Sequence, residues 1–382
     1  MVVGYDAKRA FRNNTGLGNY SRMVICGLQS MARGRYLLYT PSTKGRHEHY
    51  FDFLTSAPAP EKEEQVRVVV PQGLWRVFPS VWRSVGVRHT VKRDGVELFH
   101  GLSHELPYGL PKGVKRVVTM HDLIVMRYPA FFKPVDRVIH MLKMRHACRV
   151  ADVIVAISEQ TKRDLVDLLG VTEEKIRVVY QSCDPIFWEK AVKEVKNLKE
   201  KYGLPERYII CVGTVEERKN QVTAVRALAQ LPADVKLVIV GRPRGSYPDE
   251  VSREAREKGV EGRVLFLQDA HFEDFPALYR GAVASVYMSV FEGFGIPVLE
   301  SMCCDCPVVT SNISSMPEAG GEAALYAAPT DADAVAIHLR RLLEDPLFRE
   351  EQIAKGRIQK MNFAPEKVSA DMMAVYRSLL ND

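Results

Sequence analysis

The sequence lacks any run approaching the ~18 apolar residues that a membrane span requires; its best, Ala282 to Phe291, is far too short. Cysteine is sparse as well. The 382 residues contain seven, an odd number scattered through apparent strands and helices, which suits reduced, mostly buried thiols and argues against a disulfide framework. The one cluster, Cys303, Cys304 and Cys306, has no second cysteine pair or histidine pair at ligand spacing. Packing is therefore its expected role, rather than metal or redox chemistry. No convincing Asp-x-Asp stands at a strand end. The sole candidate, Asp331-Ala332-Asp333, reads as the N-terminal cap of a helix running to Glu344, so no metal site is expected. Zinc-finger spacing and RNP-like aromatic patterns are also missing, which argues against a nucleic-acid partner. The amino terminus, Met-Val-Val-Gly-Tyr-Asp, enters a strand-like segment with no signal-peptide organisation, and a cytoplasmic protein is the expectation.

What is present is a chain too long for one hydrophobic core, so two domains of about 190 residues are the natural division. Its 46% hydrophobic and 26% charged content is that of a soluble globular protein. The net charge of +6 hides an asymmetry: residues 1 to 190 carry 29 Lys and Arg against 19 Asp and Glu, a balance of +10, leaving 24 against 28, or −4, for the rest. The basic half is where an anionic partner is expected, and an anionic lipid-linked acceptor or a membrane surface fits that charge.

Along the chain, strand-like and helix-like segments alternate. Val2 to Tyr5 reads as a strand and Asp6 to Asn14 as a loop. Thr15 caps a helix whose apolar positions Leu17, Tyr20, Val24, Leu28 and Met31 keep one buried face. Gly16 and Gly18 open that helix, so the first strand-to-helix connection is a glycine-rich loop suited to phosphate or ligand contact. Ser42 to Glu64 is polar and unperiodic, a loop or irregular helix. His121-Asp122-Leu123 follows the Arg116 to Met120 strand directly, at the carboxyl edge where parallel sheets bind ligands; alone, it also fits a structural histidine. Phe131 to Val150 is a long basic helix, either a solvated face or a contact for acceptor or membrane. After a charged linker segment, Lys190 to Lys201, the rhythm restarts at Tyr208 and continues to Tyr326, with a terminal helix from Glu366 to Leu380. Two such halves imply an α/β chain of two doubly wound parallel-sheet domains facing across a cleft.

Two stretches of the second half carry chemistry. Phe291 to Glu300 reads Phe-Glu-Gly-Phe-Gly-Ile-Pro-Val-Leu-Glu, a strand leading through a glycine turn into a helix with proline in its first turn. Gly293, Phe294, Gly295 and Ile296 would present backbone N–H groups at a positive helix end to an anion such as a diphosphate. Glu292 would accept hydrogen bonds from sugar hydroxyls, and Glu300, in the first helical turn, would grip the vicinal diol of a ribose. The alternative is a plain strand-turn-helix with solvated glutamates. Gly213 to Asn220 sets Arg218 and Lys219 at the end of a strand, just as a helix begins, where both could donate to a diphosphate; unrelated surface charges are the other reading.

The whole pattern, Glu292 and Glu300 separated by seven residues with Gly-Phe-Gly-Ile-Pro between them, resembles the Glu-x7-Glu motif of retaining glycosyltransferases of the family 4 type, which have the GT-B fold of two Rossmann-like domains. Gly213-Thr214-Val215-Glu216-Glu217-Arg218-Lys219-Asn220 resembles that family's Gly-Thr-x-x-x-Arg-Lys-Asn segment, Gly16-Leu17-Gly18-Asn19-Tyr20 its Gly-x-Gly-x-Tyr loop, and His121-Asp122-Leu123-Ile124 its His-Asp motif. Two stretches depart from it. Thr214 stands where other members have arginine, so the guanidinium role goes to Arg218, and Tyr180-Gln181-Ser182-Cys183-Asp184 replaces the usual Pro-Asn-Gly-Val-Asp.

The resemblance implies an acceptor-binding domain over 1–188, a nucleotide-sugar-binding domain over 189–364, and a C-terminal helix, 365–382, returning toward the first. It implies a cytoplasmic hexosyltransferase that needs no metal or cofactor and retains the donor's anomeric configuration, with peripheral contact at the inner face of the cytoplasmic membrane as a further expectation. Its partners would be a nucleotide-sugar donor and a glycan or lipid-linked acceptor for cell-surface polysaccharide or lipopolysaccharide. Catalytic roles fall to His121, Glu292, Arg218 and Lys219, and donor contacts to Gly16, Gly18, Gly293, Phe294, Gly295, Ile296 and Glu300. Arg127-Tyr128-Pro129 after the His-Asp segment is similar to mannosyltransferases, making GDP-mannose the first donor choice. A sugar-nucleotide epimerase of the same build and a catalytically silent partner subunit are the rival readings.

Overall fold

The computed structural model describes residues 1–13, 16–31, 34–43, 66–189 and 195–380. The expected cap Thr15, most of the polar segment 42–64 and the start of the linker segment lie outside the described residues. The chain divides into two compact units, Met1–Ser182 together with Ala364–Asp382, and Cys183–Phe363.

Among the described residues the first unit holds seven strands: β1 (Val2–Asp6), β2 (Arg35–Tyr39), β3 (Val66–Val69), β4 (Leu98–Gly101), β5 (Lys115–Met120), β6 (Val153–Ala156) and β7 (Ile176–Val178). They form one sheet in the order β3-β2-β1-β4-β5-β6-β7, with every pairing parallel. β4 and β6 are buried along their whole length, as apolar runs must be when helices cover both faces of a parallel sheet. The order reverses between β1 and β4, and the connections leaving the carboxyl ends of those two strands part there, opening a crevice for a ligand.

The stretch after β1, expected as loop, contains a short helix, Lys8–Arg12, because Ala10 and Phe11 bury themselves in the core. Helix α1 (Gly16–Met31) buries Tyr20, Val24 and Leu28 as its spacing requires, while Met31 at its end is exposed. Helix α2 (Pro134–Val150) starts three residues later than the sequence suggests, at Pro134, and buries only Met144, Ala147 and Cys148. The final helix, α4 (Pro365–Leu380), belongs to this unit. Its fully buried Tyr376 hydroxyl meets His100 Nδ1 at 2.6 Å, His100 Nε2 meets Thr119 Oγ1 at 2.8 Å, and Thr119 Oγ1 meets the Tyr20 hydroxyl at 2.9 Å. A buried chain of this kind satisfies polar groups that would otherwise cost stability.

The second unit repeats the plan. Its strands are β8 (Arg207–Val212), β9 (Val235–Val240), β10 (Val264–Leu267), β11 (Ala284–Tyr287), β12 (Val308–Ser311) and β13 (Ala324–Ala327), all parallel, in the order β10-β9-β8-β11-β12-β13. Here the order reverses between β8 and β11, so the segments leaving these strands, Gly213 to Asn220 and Met288 to Gly295, border the second crevice. Helix α3 (Ile296–Cys303) follows. Cys303, Cys304 and Cys306 are all buried behind it, and burial pushes the Cys306 thiol up to about 12.

Candidate active site

In the second unit the chain leaves β11 at Tyr287 and turns through Ser289 and Glu292 to Gly295, the N-cap of α3. Gly295 has φ 114°, and a Cβ there would stand 2.9 Å from Met316 Cε, so both backbone and packing demand glycine. Pro297 occupies the first turn without cost, since its missing N–H has no helical partner there. Ser314 and Ser315, beyond β12, fix the bend: their hydroxyls donate to the Glu292 carbonyl at 2.6 and 2.9 Å, and the Glu292 N–H donates to Ser314 Oγ at 3.2 Å.

Four donors converge on one oxygen. Glu292 Oε1 accepts from Lys219 Nζ at 2.5 Å, Arg218 Nη1 at 2.6 Å, Ser289 Oγ at 2.7 Å and the Tyr287 hydroxyl at 2.8 Å. Lys219 also donates to the Tyr287 oxygen. Arg218 is held further by Glu216 Oε1 at 2.8 Å and the Phe291 carbonyl at 3.0 Å, while Glu216 Oε2 accepts from Arg244 at 2.8 Å. Burial alone would raise the Glu292 carboxyl, but Arg218 and Lys219 outweigh it and hold Glu292 well below the usual carboxylate range. It is ionised throughout the physiological range. Arg218 and Lys219 sit in a single 3-10 turn, Glu217–Lys219, and not at the helix start as expected. The helix Gln221–Leu228 begins only after Asn220, which adopts a left-handed conformation at φ 54°.

Glu292 was expected on sugar hydroxyls and the two cations on a diphosphate, yet all three form one cluster, with every donor on Oε1. The Phe294 side chain is a core group, edge-on to Phe363 with centroids 5.1 Å apart, so only its backbone belongs to the bend. Ile296 is half-buried at the first helical position. Glu300 falls in the second turn of α3, not the first, and is 7% exposed. Its Oε2 accepts from the Tyr279 hydroxyl at 3.1 Å, and burial raises the carboxyl to about 7. Glu216, Tyr287, Ser289, Ser314 and Ser315 escaped the reading of the sequence. Glu216 and Ser289 lie two and three residues from the acids and bases they serve, a signal that could have found them.

In the first unit His121 follows β5 and is 5% exposed. Its Nε2 donates to the Leu102 carbonyl at 2.9 Å, which leaves Nδ1 as an acceptor. Its ring stands edge-on to Tyr20 at 4.6 Å and 5.3 Å from His104. Burial, reinforced by His104, pushes it down to about 3, so it is a neutral imidazole. Gly16 is exposed, with open space where a Cβ would be. Gly18 is buried, and a Cβ would lie 1.9 Å from the Asn13 carbonyl oxygen, so its evident task is to let the preceding chain cross the helix.

Two family models match the chain: Glycosyltransferase Family 4 over residues 30–186 and Glycosyl transferases group 1 over residues 194–359. The O-antigen chain mannosyltransferase B of Escherichia coli is 32% identical over 74% of this chain and 74% of its own length. The serotype-specific mannosyltransferase WbdA of the same organism is 27% identical over 70% of this chain, which spans only 34% of that longer protein. Among solved structures, Anabaena Alr3699/HepE in complex with UDP and glucose superposes with a TM-score of 0.74, covering 99% of each chain at 18% identity, a likeness of fold. The chain belongs to the glycosyltransferases of the family 4 type, with the GT-B fold and a mannosyltransferase-like sequence. It is a hexosyltransferase.

The buried Glu300 gives the stability of this unit a defined pH dependence. Its folded-state value, about 7, lies above its ordinary 4.5, so its contribution is intact below about 4.5 and is lost as pH rises through 7. Between pH 5 and 8, urea unfolding of the wild type is expected to lose on the order of 3 kcal/mol relative to Glu300→Gln. Parallel pH profiles for the two proteins would show that the carboxyl titrates normally.

Proposed function

We propose that the chain transfers a mannosyl group from GDP-mannose to a glycan or lipid-linked acceptor in cell-surface polysaccharide or lipopolysaccharide synthesis, with retention of configuration and without a metal ion. The observation that carries this reading is the pair of cations, Arg218 and Lys219, held ready beside the Gly295 bend at the carboxyl edge of the second sheet. Both of the relatives named above are mannosyltransferases, one of them of the O-antigen chain, which supports the choice of sugar and product.

In the proposed reaction the bond between the anomeric carbon and the β-phosphate oxygen breaks, and its electron pair stays on the diphosphate. Arg218, Lys219 and the amides at the start of α3 receive the growing negative charge. Preorganised donors of this kind supply the largest single term in many enzymes, and two fixed cations do here what a divalent ion does elsewhere. The acceptor oxygen attacks the same face and gives its proton to the leaving phosphate oxygen. Glu292, with Oε1 tied to four donors, keeps Oε2 for a hydroxyl of the departing sugar. His121, neutral, uses Nδ1 in the same way, and Glu300 accepts the ribose diol. Neither Glu292 nor His121 acts as a nucleophile.

We further propose that the first unit rests on an anionic membrane face. Among the described residues no helix is long and apolar enough to cross a membrane. Yet two segments leaving the carboxyl ends of β3 and β5 expose large apolar side chains: Leu74, Val77 and Phe78 in one, Val135, Val138, Ile139 and Leu142 along one stripe of α2 in the other. Arg76, Lys133 and Arg137 are interspersed with them, the composition of an interfacial surface. In liposome flotation the protein is expected to rise with vesicles containing acidic lipid and not with neutral ones, and Leu74→Asp with Phe78→Asp should abolish it. Equal binding to both vesicle types would contradict this contact.

The reaction is tested by offering radiolabelled nucleotide sugars with a lipid extract. GDP-mannose is expected to give a chelator-insensitive, acceptor-dependent product, and Lys219→Ala should lower kcat by about 100-fold or more. Loss of activity in chelator that manganese restores would overturn the metal-free mechanism.

A further inference from the structure

The core of the first unit contains a line of polar side chains where apolar ones would pack as well. Tyr376 of α4, His100 of β4, Thr119 of β5 and Tyr20 of α1 are buried and bonded in series, at 2.6 Å from Tyr376 to His100, 2.8 Å from His100 to Thr119 and 2.9 Å from Thr119 to Tyr20. Burial pushes His100 down to about 3, so it is a neutral imidazole with one donor and one acceptor. It passes the sense of the hydrogen bond at Tyr376 on to Thr119, and Thr119, with a single hydrogen, passes it on to Tyr20. Loss of any member leaves a buried neighbour unpaired. Stability alone does not call for such a line, because exchanging both partners of a buried hydrogen bond for apolar groups of the same shape is nearly neutral. What directional bonds add is a fixed orientation.

The line ends against His121. The Tyr20 ring stands edge-on to the imidazole, with centroids 4.6 Å apart and planes at 87°. The charged groups of this crevice pair with one another, Arg83 with Asp6 at 2.5 Å and with Glu105 at 2.8 Å, and Lys143 with Glu105 at 3.2 Å. What touches the His121 ring is neutral: the Leu102 carbonyl on Nε2 at 2.9 Å, the Tyr20 ring, and the His104 ring 5.3 Å away. Thr161 Oγ1 donates to the His121 carbonyl at 3.2 Å and holds its backbone. An imidazole pinned at Nε2 can still pivot about that bond, and Tyr20 is the wall that stops the pivot. Tyr20 serves only if its own ring is held, and Thr119 holds it.

We infer that Tyr376, His100 and Thr119 are positioning residues: their buried chain fixes the Tyr20 ring, and the Tyr20 ring fixes the plane of His121 and the direction of its Nδ1. The inference rests on the reading of His121 as a contact of the reacting sugar, and adds to it how the terminal helix α4 takes part in aligning that contact without touching substrate.

The test combines transfer kinetics, with GDP-mannose and a lipid extract, and NMR of the full chain labelled at histidine Cε1, the His121 resonance being assigned by His121→Asn. Thr119→Val, which keeps the shape and removes the hydroxyl, is expected to lower kcat about tenfold and Tyr376→Phe about threefold, with KM for GDP-mannose unchanged. In both variants the His121 resonance should shift and broaden. Thr119→Ser loses a buried methyl, and with it stability, but keeps the hydroxyl, so it should melt lower and yet retain the wild-type kcat and resonance. A wild-type kcat and His121 resonance in Thr119→Val or in Tyr376→Phe, or a Thr119→Ser protein as impaired as Thr119→Val, would overturn the inference and leave the line a packing feature. Full activity of His121→Asn would instead count against the contact of His121 with the sugar, while the resonance still reports on the chain.

Discussion

The second unit depends on a single acceptor atom. Glu292 Oε1 gathers a guanidinium, an ammonium and two hydroxyls, and in doing so joins the segment after β8 to the segment after β11. Two half-buried cations side by side would repel one another and lose hydration. Removing one partner of such a buried ionic group costs about 3–5 kcal/mol, because the remaining charge is left uncompensated. The carboxylate therefore holds Arg218 and Lys219 in position. In the proposed reaction a diphosphate would meet cations whose geometry is already set, so little reorganisation would oppose binding or the charge that develops as the sugar leaves.

Both units place their polar side chains by the same topological device. A doubly wound sheet must reverse its strand order somewhere, and the connections that part at that point leave a crevice lined by whatever follows the two central strands. In the second unit those segments bring Arg218, Lys219, Glu292 and Gly295. In the first they bring Asp6, His104 and Glu105, with His121 one strand away. The chemistry of the two crevices differs. One concentrates positive charge on a single carboxylate; the other has balanced charges, neutral histidines and aromatic rings.

Much of this was legible in the sequence where the relevant contacts are local. Alternating apolar runs and helical stripes gave both sheets, because a parallel sheet buried on two faces needs them. Gly295 and Pro297 marked the start of α3, and Asp331 the cap of its helix, since each acts within three residues. Distant partners were not legible. Nothing in the sequence says that Ser314 and Ser315 fold back onto Glu292 from 22 and 23 residues away, or that Arg83 reaches Asp6 across 77. The short helix Lys8–Arg12 was missed because its stability comes from burying Ala10 and Phe11 against tertiary neighbours, not from its own propensity. Glu300 was placed in the right helix but one turn too early, and its burial, which sets its protonation, is a property of the packed unit alone.

Arg218, Lys219 and the bend at Gly295 are proposed to form the seat of the diphosphate. A crystal structure of the protein with bound GDP tests it most directly. The β-phosphate oxygens are expected within hydrogen-bonding distance of Arg218 and Lys219 and of the amides that open α3. A diphosphate bound away from both the two cations and the glycine bend would contradict it.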